Sequence, residues 1–207
     1  MIVEYFGVPG SGKTYHTNLY KEQLKYEGKK YIDISRYSAM PLWLKFLYKL
    51  ADYTILILPK YRKQITEYKE VCKGCRREST FVPFSLDYCI KDIVLYSLVY
   101  DVFCHLGRIV VNDEGQLHRV IFLSVQFGVA LDKLIPVYQS FRHREVCRYV
   151  KTTSDNIMRN IKRRNRRVCA MDELKDEMLR DYIRAFEDGC TKMESLRPEF
   201  VEIVCNE

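Results

Sequence analysis

Long apolar runs are missing from this chain. Nowhere do about 18 uncharged apolar residues follow one another, so no segment reads as a transmembrane helix and no membrane partner is expected. No signal peptide is expected either, since Met1 runs directly into Ile2-Val3-Glu4-Tyr5-Phe6, and the expected location is the cytoplasm. No internal repeat and no low-complexity linker breaks the 207 residues, so a single domain, 1–207, is expected. Apolar residues at 47% and charged residues at 29% are ordinary globular values. Metal-binding patterns are nearly absent as well. Cys72-Lys73-Gly74-Cys75 is a C-x-x-C, but neither a second such pair nor an H-x-x-x-H follows it, and structural zinc takes four ligands. A plain loop pair is the simpler reading. A metal or redox role, with Cys89 and His105 as unpatterned partners, is the alternative. The other cysteines, several of them inside apolar runs, suit a reducing compartment and act as small core hydrophobes.

What is present is a phosphate-binding loop. Gly7-Val8-Pro9-Gly10-Ser11-Gly12-Lys13-Thr14 satisfies every fixed position of G-x-x-x-x-G-K-[ST]. A β-branched and aromatic strand, 2–6, leads into it. A segment of helical composition without Gly or Pro, 15–25, follows. Strand, glycine turn and helix together make an anion site. The glycines let successive N–H groups point inward, and the positive end of the helix faces the same phosphates. Lys13, expected to be exposed in the loop, would reach the β- and γ-phosphates, and the Thr14 hydroxyl would ligate Mg²⁺. ATP and Mg²⁺ are therefore the expected cofactors.

Along the rest of the chain, strand and helix alternate. A helix is expected over about 13–26 and a short strand over 31–34. A long insertion, 35–107, then precedes the third strand. The insertion is rich in aromatics, Tyr37, Trp43, Phe46, Tyr48 and Tyr53 among them, and core packing is their expected role. Helical spacing recurs at 40–50 and 86–104, while 72–79 is basic and polar, as a surface loop would be. The most apolar stretch, 53–59, is strand length or a fragment of a buried helix. Further strands are expected at 145–151 and 200–204, with helices at 116–127, 156–163 and from about 171 to 188 or beyond. This pattern predicts an α/β, three-layer P-loop NTPase fold, a five-stranded parallel sheet flanked by helices.

The third strand, Arg108-Ile109-Val110-Val111-Asn112, ends in Asp113-Glu114-Gly115. An acidic pair at the carboxyl end of a central parallel strand lies where a Mg²⁺ ion beside a phosphate loop is held. Asp113 is accordingly a candidate metal ligand with Thr14, and either Asp113 or Glu114 a candidate proton acceptor. Asn112 occupies a position that is usually apolar. The net charge of +7 is concentrated in one block: Arg142, Arg144, Arg148, Lys151, Arg159, Lys162, Arg163, Arg164, Arg166 and Arg167. Beside a phosphate loop such a block is expected to face phosphates during transfer; a nucleic-acid patch is the alternative. Arg159 and Arg163, four apart, share a helix face.

With these landmarks the chain resembles the P-loop nucleoside and nucleotide kinases, thymidylate kinase-like proteins above all. The resemblance spans nearly the whole length and rests on 7–14, Asp113-Glu114, and the run from Tyr149 through Arg159 to Arg163. It implies a phosphotransferase moving the γ-phosphoryl of Mg·ATP to a small-molecule acceptor, a nucleoside or nucleotide by class. It also implies an arginine-rich lid over 159–171 in which Arg159, Arg163 and Arg164 clamp the transferring group. The insertion would form the acceptor region, with Arg36, Tyr37, Gln116 and Arg119 as candidate contacts. Thymidylate kinases carry Asp-Arg-Tyr or Asp-Arg-His, and deoxynucleoside kinases Glu-Arg-Ser, where this chain has Asp113-Glu114-Gly115. A P-loop ATPase switch or a nucleic-acid-binding ATPase is the competing class. The N-K-x-D element of guanine recognition is not found after the third strand.

Overall fold

The computed structural model describes residues 1–35, 42–141, 145–164, 173–196 and 201–205, with the backbone alone at 145 and 164. In chain order the elements are β1 (Ile2–Phe6), α1 (Lys13–Tyr26), β2 (Tyr31–Asp33), α2 (Leu42–Ile57), α3 (Pro59–Val71), α4 (Leu86–His105), β3 (Ile109–Asn112), α5 (Gln116–Phe127), α6 (Leu131–Ser140), β4 (Glu145–Lys151), α7 (Ser154–Arg164), α8 (Asp176–Leu196) and β5 (Val201–Cys205). The five strands form one sheet in the order β2-β3-β1-β4-β5. Every pairing is parallel, with Ile2 beside both Val110 and Glu145, Tyr31 beside Ile109, and Cys147 beside Val201. This is the α/β architecture expected from the alternation of elements.

Side chains alternate across a strand, and β1 shows how that builds the layers. Val3 and Tyr5 face one side, where they join Val150 and Tyr20 of α1. Ile2 and Phe6 face the other, where α4, α5 and α8 supply the larger core. Helices α2, α3 and α6 pack outside this second layer, α2 and α3 on α4, α3 also on α6. The order of strands matters for function. β1 and β3 are neighbours, so the turn after β1 and the acidic turn after β3 emerge side by side at the carboxyl edge of the sheet. This is where parallel α/β sheets bind ligands.

Several expectations need correction. Of the two readings of 53–59, strand or buried helix fragment, the helical one holds but the burial does not: the stretch is the end of α2 and the beginning of α3 and mostly faces solvent, and Pro59 occupies the first helical position and suits it. Helices α3 and α6 were not foreseen. α6 tolerates an internal Pro136 and is only ten residues long. Of the aromatics expected in the core, Tyr48 is buried, but Trp43, Phe46 and Tyr53 face solvent. Tyr37 lies outside the described residues. Among the described residues no helix is long and apolar enough to cross a membrane.

Candidate active site

The phosphate loop closes on itself through the Ser11 amide, which donates to the Val8 carbonyl at 3.0 Å. Gly7 has φ +145°, and a Cβ there would lie 2.7 Å from the Val150 carbonyl of β4, so no larger residue fits. On the other flank the Asn160 amide of α7 donates to the Gly10 carbonyl at 2.9 Å. The loop is thus held between β4 and α7, with Gly12 and Lys13 opening α1.

Lys13 is buried rather than exposed, because it opens α1 instead of projecting from the loop. Its Nζ donates to the carbonyls of Gly7 at 3.0 Å and Val8 at 3.1 Å, and it stands 3.8 Å from Glu114 Oε1. The Thr14 hydroxyl donates to Asp113 Oδ2 at 2.8 Å. Two hard oxygen donors on neighbouring elements, one of them a carboxylate, form a donor set that fits Mg²⁺. Glu114 is half exposed, while Asp113 is buried.

Asn112 is the unusual residue of this strand, and the structure explains it. Its Oδ1 accepts from the Glu114 amide at 3.1 Å, and its Nδ2 donates to the Tyr100 hydroxyl at 3.1 Å. That hydroxyl donates in turn to Glu4 Oε2 at 3.2 Å, and the His118 amide donates to Glu4 Oε1 at 2.9 Å. Gly115, ahead of α5, offers no side-chain cap. A carboxyl oxygen from the middle of β1 satisfies the open end of α5 in its place. The space confirms the arrangement. A Cβ on Gly115 would collide with the Tyr100 hydroxyl and the Glu4 carboxyl group. The Asp-Glu-Gly sequence is therefore shaped by a buried glutamate that its own local pattern does not show. Sequence reasoning missed Glu4; the available signal was an acidic residue on the same strand face as Ile2 and Phe6.

Burial raises the Glu4 carboxyl from an ordinary 4.5 to about 7, against the opposing pull of the His118 amide, the Arg119 charge, the Tyr100 hydroxyl and the Leu117 amide. The folded protein keeps a proton there that the unfolded chain releases above pH about 4.5. The stability this proton contributes is full below about 4.5 and is lost as pH rises through about 7. Glu4→Gln keeps the neutral shape and is expected to remove that fall, on the order of 3 kcal/mol. Urea melts at a series of pH values check it. A variant with the wild-type pH slope would show that Glu4 does not titrate in this window.

Beyond Glu114 lies a cavity of about 250 Å³ whose walls include Phe84, Tyr88, Phe122 and Tyr182 and whose polar groups are Asp92, Glu114, His118 and Arg119. Pro9 of the phosphate loop also lines it. Arg119 is tethered on several sides. Its Nε donates to Asp92 Oδ2, its Nη1 to the Glu114 carbonyl, and its guanidinium sits 4.2 Å from the Tyr96 ring centre. Burial works against its charge, but Tyr96, Asp92 and Glu114 hold it ionised. His118 is pushed down to about 3 by burial, with the charges of Lys13 and Arg119 adding to the effect and Glu114 opposing, so its ring is neutral near pH 7.

Of the residues expected to touch an acceptor, Arg119 thus opens onto the Glu114 side of the loop. Gln116 lines neither this cavity nor the one described next. It is fully buried and donates to Ser97 Oγ at 2.6 Å, because the first turn of α5 faces α4. Arg36 lies outside the described residues. The second cavity, about 430 Å³, runs between α1, β2 and α2 and includes Thr14, Lys21, Asp33, Ser35, Trp43 and Asp113. Asp33 and Ser35 were not singled out from sequence. Asp33 pairs with Lys21 at 2.7 Å, and Ser35 Oγ accepts from the Asp113 amide at 3.2 Å.

Among the described residues the basic block is dispersed by the fold. Arg148 turns to the α1 side of the sheet, where it donates to Tyr5 Oη at 2.7 Å and Glu202 Oε2 at 2.8 Å and lies over Tyr20. Lys162 pairs with Asp176 at 2.6 Å. Arg159 and Arg163 are exposed on α7, the helix that braces Gly10, and Arg159 also donates to Asn156 Oδ1 at 2.6 Å. The Arg164 side chain, and Arg142, Arg144, Arg166 and Arg167 with most of the expected lid, lie outside the described residues. As for the C-x-x-C, the Cys72 thiol is pushed up to about 12 by burial and the neighbouring Cys75. Among the described residues no group of three or more His, Cys, Asp or Glu is placed to hold a metal ion.

The chain matches no protein-family model and no curated protein sequence. Its fold does match solved structures of deoxyadenosine kinase from M. mycoides: with the products dCMP and dCDP (TM-score 0.51, 12% identity), with dATP (0.52, 14%) and with dCTP (0.50, 12%). These alignments cover 100%, 99% and 100% of this chain and 90%, 91% and 90% of that enzyme. The chain has the fold of the P-loop nucleoside kinases. At such identities the likeness to these kinases is one of architecture, and the chemistry has to be argued from the residues themselves.

Proposed function

We propose that this protein is an ATP-dependent phosphotransferase that moves the γ-phosphoryl of Mg·ATP to a nucleoside or nucleotide. The observation that carries the reading is the juxtaposition of the Thr14–Asp113 pair, the phosphate loop and an aromatic-walled cavity that opens at Glu114. Lys13 would leave the Gly7 and Val8 carbonyls to meet the β- and γ-phosphates, a short move for a side chain already at the loop. Thr14 and Asp113 would hold Mg²⁺, which when bound neutralises charge on the phosphate oxygens. Asp113 is engaged with Thr14, whereas Glu114 lines the cavity, so Glu114 is the better placed of the two to accept the acceptor's proton. Phe84, Tyr88 and Phe122 offer faces for a planar base, with Asp92 and Arg119 as its hydrogen-bonding partners. Arg159 and Arg163, beside the loop on α7, are proposed to clamp the transferring phosphoryl, with Arg164 adjoining them. The kinase whose fold the chain shares has been seen with dCMP, dCDP, dATP and dCTP, which supports the acceptor class.

The test is ADP release from Mg·ATP in the presence of a panel of deoxynucleosides and their monophosphates. At least one member should stimulate release well above the acceptor-free rate. Arg119→Met should then raise the KM for that acceptor tenfold or more with little change in the KM for ATP. If no member of the panel accelerates ADP release, the acceptor class is wrong.

A further inference from the structure

The C-x-x-C pair takes no part in the site described above, and the fold gives it a geometry of its own. Val71 ends α3, and the chain turns back through Lys73 and Gly74, so that the Cys75 amide donates to the Cys72 carbonyl at 3.2 Å. Gly74 has φ +82°, a left-handed conformation that glycine adopts without steric cost. The turn brings the two side chains together: the Cys72 thiol is hydrogen-bonded to that of Cys75, and the Cys75 thiol donates to the Arg76 carbonyl at 3.6 Å. The two differ in access. Cys72 is 4% exposed and packed in the core, whereas Cys75 is partly exposed. Neither of the unpatterned partners joins them. Cys89 has Asp92 and Arg119 as its charged neighbours and lines the aromatic-walled cavity, and His105 stands at the opposite end of α4 from Cys89. Two thiols fall short of the four ligands of structural zinc.

We propose that Cys72 and Cys75 form a thiol–disulfide exchange site, with Cys75 as the nucleophile, Cys72 as the resolving thiol, and small anionic disulfides of the glutathione class as its oxidants. Cys75, its proton given up to solvent, attacks one sulfur of glutathione disulfide. That S–S bond breaks, a mixed disulfide forms on Cys75, and one glutathione leaves and takes up a proton. Cys72 then attacks the Cys75 sulfur, and its proton goes to the second glutathione as that leaves. Two protein thiols are oxidised to one disulfide, and one glutathione disulfide is reduced to two thiols.

Burial sets the order of these steps. Cys72 is closed to an outside reagent, and burial with the neighbouring Cys75 pushes its thiol up to about 12. At pH 8 only about one part in 10⁴ of such a thiol is ionised. Inside the mixed disulfide that deficit is made good. A group held against its target acts at an effective concentration of about 10⁵ M or more in well-oriented cases, and a more basic thiolate is the stronger nucleophile. Charge favours the oxidant too. Arg76 and Arg77 follow Cys75 directly and are exposed, and Lys73 meets the Glu70 charge at 2.5 Å, leaving Glu78 as the opposing group of the turn. A reagent carrying carboxylates is drawn to such a surface.

The test uses the full chain, reduced, freed of reductant and incubated with glutathione disulfide at pH 8. Trypsin cuts after Lys73, between the two cysteines, so the bond should appear as peptides 70–73 and 74–76 linked together, and dithiothreitol should separate them. Reading each peptide keeps the exposed Cys205, which takes its own adduct, out of the count. Cys72→Ser should stop at a glutathione adduct on Cys75, because the resolving thiol is gone. Cys72→Ala stands in if the serine disturbs the core. Cys75→Ser should leave Cys72 reacting roughly tenfold or more slowly than Cys75 does. The proposal is overturned if the wild-type pair stays reduced, or if an adduct persists on Cys75 with Cys72 intact. It is equally overturned if Cys75 takes no adduct in the Cys72 variants, or if Cys72 reacts as fast in Cys75→Ser.

Discussion

Lys13→Ala is expected to weaken Mg·ATP binding by at least a hundredfold and to remove measurable phosphoryl transfer. The ammonium is buried at the mouth of α1, already desolvated and aimed at loop carbonyls that phosphate oxygens would displace as its partners. A charge-assisted hydrogen bond in such a place is worth about 1.5–3 kcal/mol, and Lys13 would make one to each of two phosphates. The fold should survive. The partners lost in the empty protein include two loop carbonyls and a Glu114 contact at 3.8 Å, none of these three part of the sheet. Calorimetric titration with ATPγS, alongside a thermal melt, measures both halves of the expectation. An alanine variant that binds ATP as the wild type does would take Lys13, and the loop with it, out of the proposed site.

Asp113→Asn should separate turnover from binding. Its carboxylate accepts from the Thr14 hydroxyl and is buried at the end of β3, so the substitution removes a charge while keeping the shape. ATP affinity, which in the proposed site would come mainly from loop amides and Lys13, should change little. The rate should fall by roughly 10²-fold or more, because charge on the phosphoryl oxygens is what the site has to stabilise, and the Mg²⁺ concentration for half-maximal rate should rise. Steady-state rates across a Mg²⁺ series decide the matter. An unchanged rate at saturating Mg²⁺ would remove Asp113 from the metal site.

The parts of the molecule that could be read in advance share one property: their information is local. The phosphate loop is defined by the backbone its glycines permit and by the strand and helix on either side. The limits of α5 and β4 came directly from the sequence, because an acidic glycine turn starts one and alternation of side chains marks the other. Elements whose stability comes from neighbours were harder to see. α6 contains a proline and is short, and it stands because Leu134, Ile135 and Tyr138 are buried in the core. The residues 53–59 looked like an interior segment on hydropathy alone. Tyr53, Leu56, Ile57 and Leu58 instead face outward from the ends of two helices.

The same division runs through the candidate site. From the sequence by itself came the α/β class, the phosphate loop with Lys13 and Thr14, and the acidic pair after the third strand. Each of these depends on a few consecutive residues and their intrinsic backbone preferences. Tertiary structure alone decided that β3 lies beside β1, which brings Thr14 and Asp113 within a hydrogen bond. It alone placed Glu4 at the head of α5, tied Arg119 to Asp92, and turned Arg148 away from the site to Tyr5. Those contacts join residues that are 27 to 143 positions apart. Such pairings are selected by packing and by the cost of an unpaired buried charge, and no short stretch of sequence carries that cost.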